Sequence, residues 1–205
     1  MNSSRTGFRT VFSTPFFEIE ENPESNLFDG RPYYRMTGKD SAICCLIGDD
    51  GRLVLVRQFR PNLGFHTLEF PAGAVESGET PVEAARREIA EETGFHCTLL
   101  ELGTFNVMMN RTNTRDHIFF GMDPVPVPNH TSEVGIEIIE ISREKLVTLT
   151  QNGGYLQIIG LGVLQLISIS LGVDVLRDPA ERIHERFKAE IMVRKNEKAA
   201  FQIMK

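Results

Sequence analysis

Short apolar runs separated by turn-forming residues dominate the middle of the chain. Runs of this kind, rich in branched side chains and bounded by Gly, Pro, Asn or Asp, predict β-strands. The turn Gly48-Asp49-Asp50-Gly51 lies between the first two runs, which predicts that they form a hairpin. The predicted strands cover residues 42–47, 53–59, 99–107, 116–122 and 135–141.

Three other segments have the length and spacing of helices, and they cover residues 81–93, 155–171 and 180–193. The order along the chain is therefore strands, one helix, more strands and then two helices. This order predicts a fold of the α/β (α+β) class, in which helices pack on a mixed β-sheet.

The first 40 residues have a different pattern, in which Pro15, Pro23, Gly30 and Pro32 interrupt short apolar runs. We expect a few short strands here. The chain is long enough for one good core. We therefore divide it into an N-terminal strand appendage, residues 1–40, and a main domain, residues 41–205, that includes the C-terminal helices.

The segment of residues 155–171 contains no charged side chain and approaches the length of a membrane span. However, Gln157 and Gln165 interrupt it, small residues recur along it, and its ends lack basic anchors. We favour a buried core helix over a membrane anchor, and we expect no membrane partner.

The charge balance narrows the range of partners. The 205 residues include 22 Lys and Arg against 28 Asp and Glu, which gives a formal net charge of −6. No broad positive field is therefore available to bind a phosphate backbone, and we expect no nucleic-acid partner. The negative net charge is still compatible with a small phosphate-bearing ligand, because divalent cations held by carboxylates make the local electrostatic potential positive.

Cys44, Cys45 and Cys97 are an odd number of thiols without the spacing of a metal site. Cys44 and Cys45 are adjacent and should point to opposite faces of one strand. We interpret all three as reduced thiols, and residues 1–17 lack the apolar core of a secretory signal. These features predict a cytoplasmic protein.

The helix of residues 81–93 has clear signals at both ends. Thr80 and Glu83 can form a capping box, Pro81 suits the first turn, and Gly94 suits a left-handed residue after the last turn. An apolar stripe that should face the sheet comprises Val82, Ala85 and Ile89.

Three carboxylates of this helix, Glu88, Glu91 and Glu92, stand within four residues of one another and should share one surface. Like charges at helical spacing destabilise a helix by about 0.2–0.5 kcal/mol per pair. Arg87 can offset part of this charge through Glu83 and Glu91, but one guanidinium does not balance the cluster. A divalent cation would, since Mg²⁺ takes one or two carboxylates together with substrate phosphates. A solvated acidic surface is the alternative interpretation.

The helix glutamates are in register with residues upstream. The chain contains the pattern G-x5-E-x7-R-E-U-x-E-E-x-G-U, in which U is an apolar residue. Its members are Gly73, Glu79, Arg87, Glu88, Ile89, Glu91, Glu92, Gly94 and Phe95. This pattern is the Nudix box, and the chain resembles the Nudix hydrolase family over about residues 40–175. The resemblance implies a Nudix-type α/β/α sandwich that hydrolyses the pyrophosphate bond of a nucleoside diphosphate derivative.

Segments around the box narrow the resemblance to the ADP-ribose pyrophosphatase and nucleotide-sugar branch. They are Arg-Gln-Phe-Arg-Pro at residues 57–61, Leu-Glu-Phe-Pro-Ala-Gly at 68–73 and Glu-Ser-Gly-Glu at 76–79. This likeness implies hydrolysis of ADP-ribose to AMP and ribose 5-phosphate.

The resemblance also implies roles for single residues. Two or three Mg²⁺ or Mn²⁺ ions are expected at Glu88, Glu91, Glu92 and the main-chain carbonyl of Ala72 or Gly73. Arg87 should orient the glutamates. Glu79 should support the junction between loop and helix, or an outer metal position.

A glutamate on a loop after the box often activates the attacking water in the resembled branch. Glu133, which precedes the last predicted strand, suits this role, and Asp116 is the alternative. Glu133 also has a plain interpretation as an exposed loop acid.

Arg60, Glu69 and Arg111 are the candidate substrate-binding residues. The guanidinium group of Arg60 suits an oxyanion, which it can bind through paired hydrogen bonds, and a surface arginine at the end of a strand is the alternative interpretation. The loop of residues 108–115 lacks the Pro-Gly sequence common in the ADP-ribose branch, and it contains Arg111 and Arg115. GDP-mannose, NADH and diadenosine polyphosphates are therefore alternative substrates. The aromatic side chains interpreted as core or interface, not as base-stacking groups, are Phe16, Phe17, Tyr33 and Tyr34.

Members of the resembled branch are often homodimers that pair or exchange N-terminal segments. We therefore expect a homodimer in which residues 1–40 take part. A non-catalytic, nucleotide-binding regulatory module is the alternative to an enzyme, but every glutamate of the box is present, which favours the enzyme.

Overall fold

The computed structural model describes residues 7–23 and 31–203, with side chains up to residue 196. The chain begins with a three-stranded antiparallel sheet of β1 (Arg9–Ser13), β2 (Phe17–Asn22) and β3 (Tyr33–Gly38). Short strands are therefore present in the predicted appendage. Residues 1–6 and 24–30 of that appendage lie outside the described part of the chain.

Seven strands form the main sheet. They are β4 (Ser41–Ile47), β5 (Leu53–Arg60), β6 (Phe65–Glu69), β7 (Ala72–Ala74), β8 (Phe95–Phe105), β9 (Asp116–Pro126) and β10 (Ile136–Ile141). The central order is β10-β5-β4-β9-β8, and β6 and β7 pair with β5 and β4. β4 and β9 run parallel, whereas the other pairs are antiparallel, so the sheet is mixed as predicted.

The helices lie on both faces of this sheet. They are α1 (Pro81–Thr93), α2 (Arg143–Gln151), α3 (Ile158–Leu171) and α4 (Ala180–Ile203). Cys44 belongs to a core with Ala85 and Ile89 of α1, whereas Cys45 belongs to a second core built with α2, α3 and α4. The alternation of strand side chains therefore fills two cores, and the α/β/α sandwich is confirmed.

Helix α3 packs along one side against the sheet. Val163 and Ile167 are buried, whereas Ile158 and Ile169 are exposed. This burial confirms the interpretation of residues 155–171 as a core helix, although the helix begins only at Ile158. Within the described ranges, no helix has both the length and the apolarity that a membrane crossing requires.

Some elements differ from the prediction. The sequence pattern misses β6, β7 and α2, and it begins β8 at residue 99 although the strand starts at Phe95. β9 continues to Pro126, beyond the predicted end at residue 122, and α4 extends to Ile203 and not only to residue 193.

Candidate active site

Helix α1 is bounded as the sequence predicts, and these bounds fix the direction of its side chains. The Thr80 hydroxyl accepts a bond from the main-chain N of Glu83 at 3.4 Å, and Glu83 Oε2 accepts one from the main-chain N of Thr80 at 2.8 Å. Gly94 ends the helix at a φ of 69°, a left-handed conformation that favours glycine. The predicted capping box and C-terminal glycine are both confirmed.

The three glutamates of α1 have different exposures. Glu92 is only 4% exposed. The side chain of Glu88 is 13% exposed and that of Glu91 is 53% exposed. The alternative interpretation of a solvated acidic surface is therefore wrong for Glu92. The reason is β7, which packs on α1 and covers the side from which Glu88 and Glu92 project.

β7 contacts both buried carboxylates. The main-chain N of Ala72 donates to Glu92 Oε2 at 3.0 Å. Glu88 occupies the space beside Gly73, where a Cβ would overlap the carboxylate. The glycine of the box is therefore required for the close approach of strand and helix, and Ala72 and Gly73 lie where the sequence places them, next to Glu92 and Glu88.

Arg87 organises the acidic groups from the same helix. Its Nε and Nη2 each donate to Glu79 at 3.0 Å, and its Nη1 donates to Glu88 at 2.7 Å and to Glu91 at 3.2 Å. Nη2 also donates to the carbonyl of Ala74 at 2.9 Å. Glu79 in turn accepts a bond from the main-chain N of Glu76, which holds the loop before α1. Arg87 thus connects the loop before α1 to two glutamates of the helix.

One expected partner of Arg87 is wrong. Glu83 bonds to Thr80 in the capping box, so it is not among the carboxylates that Arg87 contacts. Arg87 turns instead toward Glu79 and the β7 carbonyl, which come from the preceding loop. Spacing along one helix does not reveal those partners, because they belong to another segment of the chain.

The two buried carboxylates are electrostatically unfavourable without a cation. Burial raises the pKa of Glu92 to about 8, and the charges of Glu88, Glu133 and Glu69 add to this effect, while the bond from Ala72 opposes it. Burial also raises the pKa of Glu88, with further contributions from Glu91 and Glu133 and an opposing one from Arg87. The site therefore concentrates negative charge in a desolvated place.

The chemistry of these groups suits a hard divalent cation, which prefers carboxylate oxygens. In the described residues, however, no three His, Cys, Asp or Glu side chains are already gathered as a metal-ligand group. Glu88 instead forms an ion pair with Arg87 at 2.7 Å. Ligation by Glu88, Glu91 and Glu92 together therefore requires that these side chains turn away from their present partners.

Arg60 and Glu69 form a pair next to this centre. Arg60 donates to both oxygens of Glu69, from Nε at 2.7 Å and from Nη2 at 2.5 Å, and the Thr67 hydroxyl adds a third bond at 2.6 Å. The pair interacts electrostatically with Glu92, since the charge of Glu69 raises the pKa of Glu92 and that of Glu92 raises the pKa of Arg60. The side chain of Arg60 is 41% exposed, so a ligand can reach it. Thr67 has no sequence signal that identifies it.

Glu133 and Asp116, the two candidate bases, lie on different sides of the sheet. The charge of Glu133 raises the pKa values of both Glu88 and Glu92, which places it near them. Asp116 accepts a bond from the Ser41 hydroxyl at 2.5 Å and lines a cavity of about 390 Å³ beside α3. Asp116 is therefore on the face opposite α1.

The two arginines of the loop at residues 108–115 have different surroundings. Arg115 forms a two-pronged bond with Asp40, from Nε at 3.0 Å and from Nη2 at 2.8 Å. Arg111 is exposed, and its carbonyl accepts a bond from the main-chain N of Met36 at 2.7 Å. Both arginines are exposed, and the Arg111 guanidinium donates to the carbonyl of Asn110 at 3.2 Å, whereas that of Arg115 binds a carboxylate. The loop is held by β3 of the N-terminal sheet.

The aromatic residues of the N-terminal sheet also have distinct surroundings. Phe16 and Phe17 line a cavity of about 560 Å³ that extends to Ala74 of β7. The Tyr33 hydroxyl donates to the carbonyl of Asn110 at 2.7 Å, and that of Tyr34 donates to Glu21 at 2.9 Å. Tyr33 and Tyr34 therefore connect segments of the structure through their hydroxyl groups. Phe16, Phe17 and Tyr34 are 85%, 37% and 48% exposed, so these three are not part of the core.

Comparison with known families and proteins gives consistent results. Residues 38–152 match the family model described as NUDIX domain, and this match covers more than half of the 205 residues. The chain is 58% identical over 43 residues to the ADP-sugar pyrophosphatase of Mus musculus, which is 21% of this chain and 20% of that protein. It is 29% identical over 111 residues to the ADP-ribose pyrophosphatase of Bacillus subtilis (strain 168), which is 52% of this chain and 60% of that protein.

The aligned parts thus span between about a fifth and three fifths of the length of these two relatives. A solved structure described as an ADP compounds hydrolase superposes with a TM-score of 0.69, and it covers 82% of this chain and 92% of that chain. The sequences are 23% identical, so this likeness shows the shared fold alone.

Proposed function

Because the chain belongs to the NUDIX domain family, we propose that it is a metal-dependent hydrolase that cleaves the pyrophosphate bond of ADP-ribose to give AMP and ribose 5-phosphate. The names of the two relatives, an ADP-sugar pyrophosphatase and an ADP-ribose pyrophosphatase, support this substrate class.

The placement of Glu88 and Glu92 is the observation on which the proposal depends. Glu92 is buried and Glu88 is partly buried between α1 and β7, and burial raises the pKa of both carboxyl groups. Placing two acids in a desolvated site is costly unless a cation neutralises them. A bound cation would offset this cost and would at the same time attract a phosphate group to the site.

Two or three Mg²⁺ or Mn²⁺ ions are the proposed cofactors, held by Glu88, Glu91, Glu92 and a main-chain carbonyl of Ala72 or Gly73. When bound, such ions neutralise the diphosphate oxygens and acidify a coordinated water. Arg87 orients Glu88 and Glu91 by donating to both carboxylates, and Glu79 anchors Arg87 from the preceding loop.

The remaining residues act on the water and the substrate. Glu133 accepts a proton from the attacking water, whose oxygen forms the new bond to one phosphorus while the bridging P–O bond breaks. Arg60, positioned by Glu69, and Arg111 bind the diphosphate through charge-assisted hydrogen bonds. Binding at fixed positions supplies much of the acceleration in such transfers.

A homodimer and a cytoplasmic location complete the proposal. The N-terminal sheet is the proposed dimerisation element, and the exposed Phe12 and Phe16 give it apolar surface for a second copy. The buried free thiols Cys44 and Cys45 support a reducing compartment.

A substrate panel tests the proposed reaction. Purified protein is incubated with ADP-ribose, GDP-mannose, NADH and diadenosine polyphosphates in the presence of Mg²⁺, and released nucleoside monophosphate is measured. We expect the highest kcat/KM with ADP-ribose and no release in the presence of EDTA. A higher kcat/KM with another compound would move the substrate assignment to it, and no release from any compound would favour the non-catalytic module.

A further inference from the structure

We propose that His130 is a positioning residue that holds the loop of Glu133 at the C-terminal end of α1. The inference rests on the proposed function, because it concerns the geometry of the proposed general base. His130 does not reach the buried carboxylates itself, and its action is exerted through the main chain.

The ring of His130 is fixed by two contacts with α1. Its Nε2 lies 2.9 Å from the carbonyl oxygen of Glu91. A carbonyl oxygen only accepts hydrogen bonds, so Nε2 carries the proton and donates. The other side of the ring lies over Gly94, where an added Cβ would be 2.7 Å from Nδ1. Gly94 therefore has two roles: it adopts the left-handed conformation that ends the helix, and its lack of a side chain leaves room for the His130 ring.

The contact also satisfies a group that the helix leaves open. The last four carbonyl groups of an α-helix have no N–H donor within the helix. His130 donates to the carbonyl of Glu91, and the main-chain N of Val127 donates to the carbonyl of Gly94 at 2.8 Å. The loop is thus attached at Glu91 and at Gly94 to the C-terminal end of the helix that contains Glu88 and Glu92.

The attachment limits where Glu133 can be. On its other side, Glu133 accepts a bond through its carbonyl from the main-chain N of Ile136 at 3.1 Å, where β10 begins. Five residues, 131–135, separate His130 from Ile136, and all are exposed. Without the His130 contact, the free segment would extend back to Val127 and would have more conformational freedom.

The position of the loop matters because Glu133 is the proposed general base. The bonds from His130 to the carbonyl of Glu91 and from Val127 to the carbonyl of Gly94 place its loop at the end of the helix that contains Glu88 and Glu92. A base displaced by about 1 Å loses on the order of 100-fold in rate. Rate, not binding, should therefore depend on His130.

Kinetics of four variants test the inference, with ADP-ribose and Mg²⁺ as the probe. We expect His130→Ala to lower kcat about 10- to 100-fold with little change in KM. His130→Gln should recover most of this loss, because its Nε2 can donate to the same carbonyl. Glu133→Gln should lower kcat by about 100-fold or more. In the double variant, His130→Ala should add no further loss, since the group it positions is already absent.

A merely structural role would give a different pattern. A helix cap that only stabilises α1 would lower the Tm of His130→Ala but leave kcat of the folded protein unchanged. Multiplying losses in the double variant, or unchanged kcat in His130→Ala, would overturn the inference. His96→Ala, which removes an exposed imidazole from β8, is the matched control and should keep the wild-type kcat.

Amide hydrogen exchange tests the positioning role of His130 independently of the proposed function. In the protein without substrate, the amides of residues 130 and 136 donate to the carbonyls of Val127 and Glu133. We expect these two amides to exchange about 5- to 10-fold faster in His130→Ala than in wild type, with recovery in His130→Gln. Unchanged exchange in this segment would overturn the inference even if the enzyme is active. Failure of the wild-type protein to hydrolyse ADP-ribose would instead contradict the proposed function and leave the exchange result to decide the role of His130.

Discussion

The carboxylate of Glu88 occupies the place that a side chain at Gly73 would need. This contact joins the first residue of the box to its central acid, which is fifteen positions further along the chain. It explains the glycine by close packing and not by a left-handed backbone, because Gly73 is not among the glycines with positive φ.

The first prediction follows from this contact. Gly73→Ala should lower kcat/KM for ADP-ribose by about 100-fold or more, since the new methyl group displaces Glu88 from its position beside β7. Initial rates with Mg²⁺ measure the effect. Gly162→Ala is the control, because nothing lies within 4 Å of its added Cβ on the exposed side of α3. It should keep full activity and gain about 0.5–1 kcal/mol in the free energy of unfolding. Equal activities of the two variants would contradict the role of the contact.

A second prediction separates the two candidate bases. Glu133→Gln should lower kcat by about 100-fold or more, because the variant cannot accept the proton of the water. Asp116→Asn should keep the wild-type kcat, since Asp116 bonds to Ser41 on the other face of the sheet. The same steady-state assay checks both. A larger loss in Asp116→Asn than in Glu133→Gln would reverse the assignment.

A third prediction concerns the loop arginines. Arg111→Ala should raise KM for ADP-ribose about 10-fold at an unchanged kcat, because a contact made equally in the ground state and the transition state is lost. Arg115→Ala should instead lower the Tm and leave KM unchanged, because its guanidinium binds Asp40. Kinetics and thermal unfolding of both variants check this. The roles would be wrong if Arg115→Ala raised KM more than Arg111→Ala.

A fourth prediction concerns stability in acid. Burial opposes ionisation of Asp40, but hydrogen bonds from Arg115 and His117 outweigh it and hold the pKa of Asp40 below its usual value. An acid with a lowered pKa stabilises the fold above its unfolded pKa of about 3.9, and this contribution disappears as the pH falls through the folded pKa. Asp40→Asn should therefore unfold at lower urea concentration than wild type at pH 7. The difference should shrink below about pH 4, and a difference that is constant with pH would contradict this account.

The sequence predicts well those features that are set by local chemistry. The bounds of α1 follow from Thr80, Pro81 and Gly94, whose capping roles depend only on neighbouring residues. The alternation of Cys44 and Cys45 between two cores follows in the same way from strand geometry.

Features set by distant partners are less predictable. β7 has only three residues and exists because it pairs with β4, about thirty positions earlier in the chain. Pro126 stays in β9 because the strand pairs with the start of β8 at Phe95. The burial of Glu92 and the position of the His130 ring also depend on contacts between distant segments, and no local pattern indicates either one.

Glu92→Gln provides the most direct test of the central claim, that the buried glutamates of α1 form a metal-dependent hydrolytic centre. Gln has the same size and can still accept the bond from Ala72, so the variant should fold with a Tm close to that of wild type. Glu83→Gln is the control on the same helix, because Gln also completes a capping box. We predict that Glu92→Gln lowers Mg²⁺-dependent turnover of ADP-ribose by on the order of 10²–10³-fold, while Glu83→Gln stays near wild type. Wild-type turnover by a folded Glu92→Gln protein would contradict the claim.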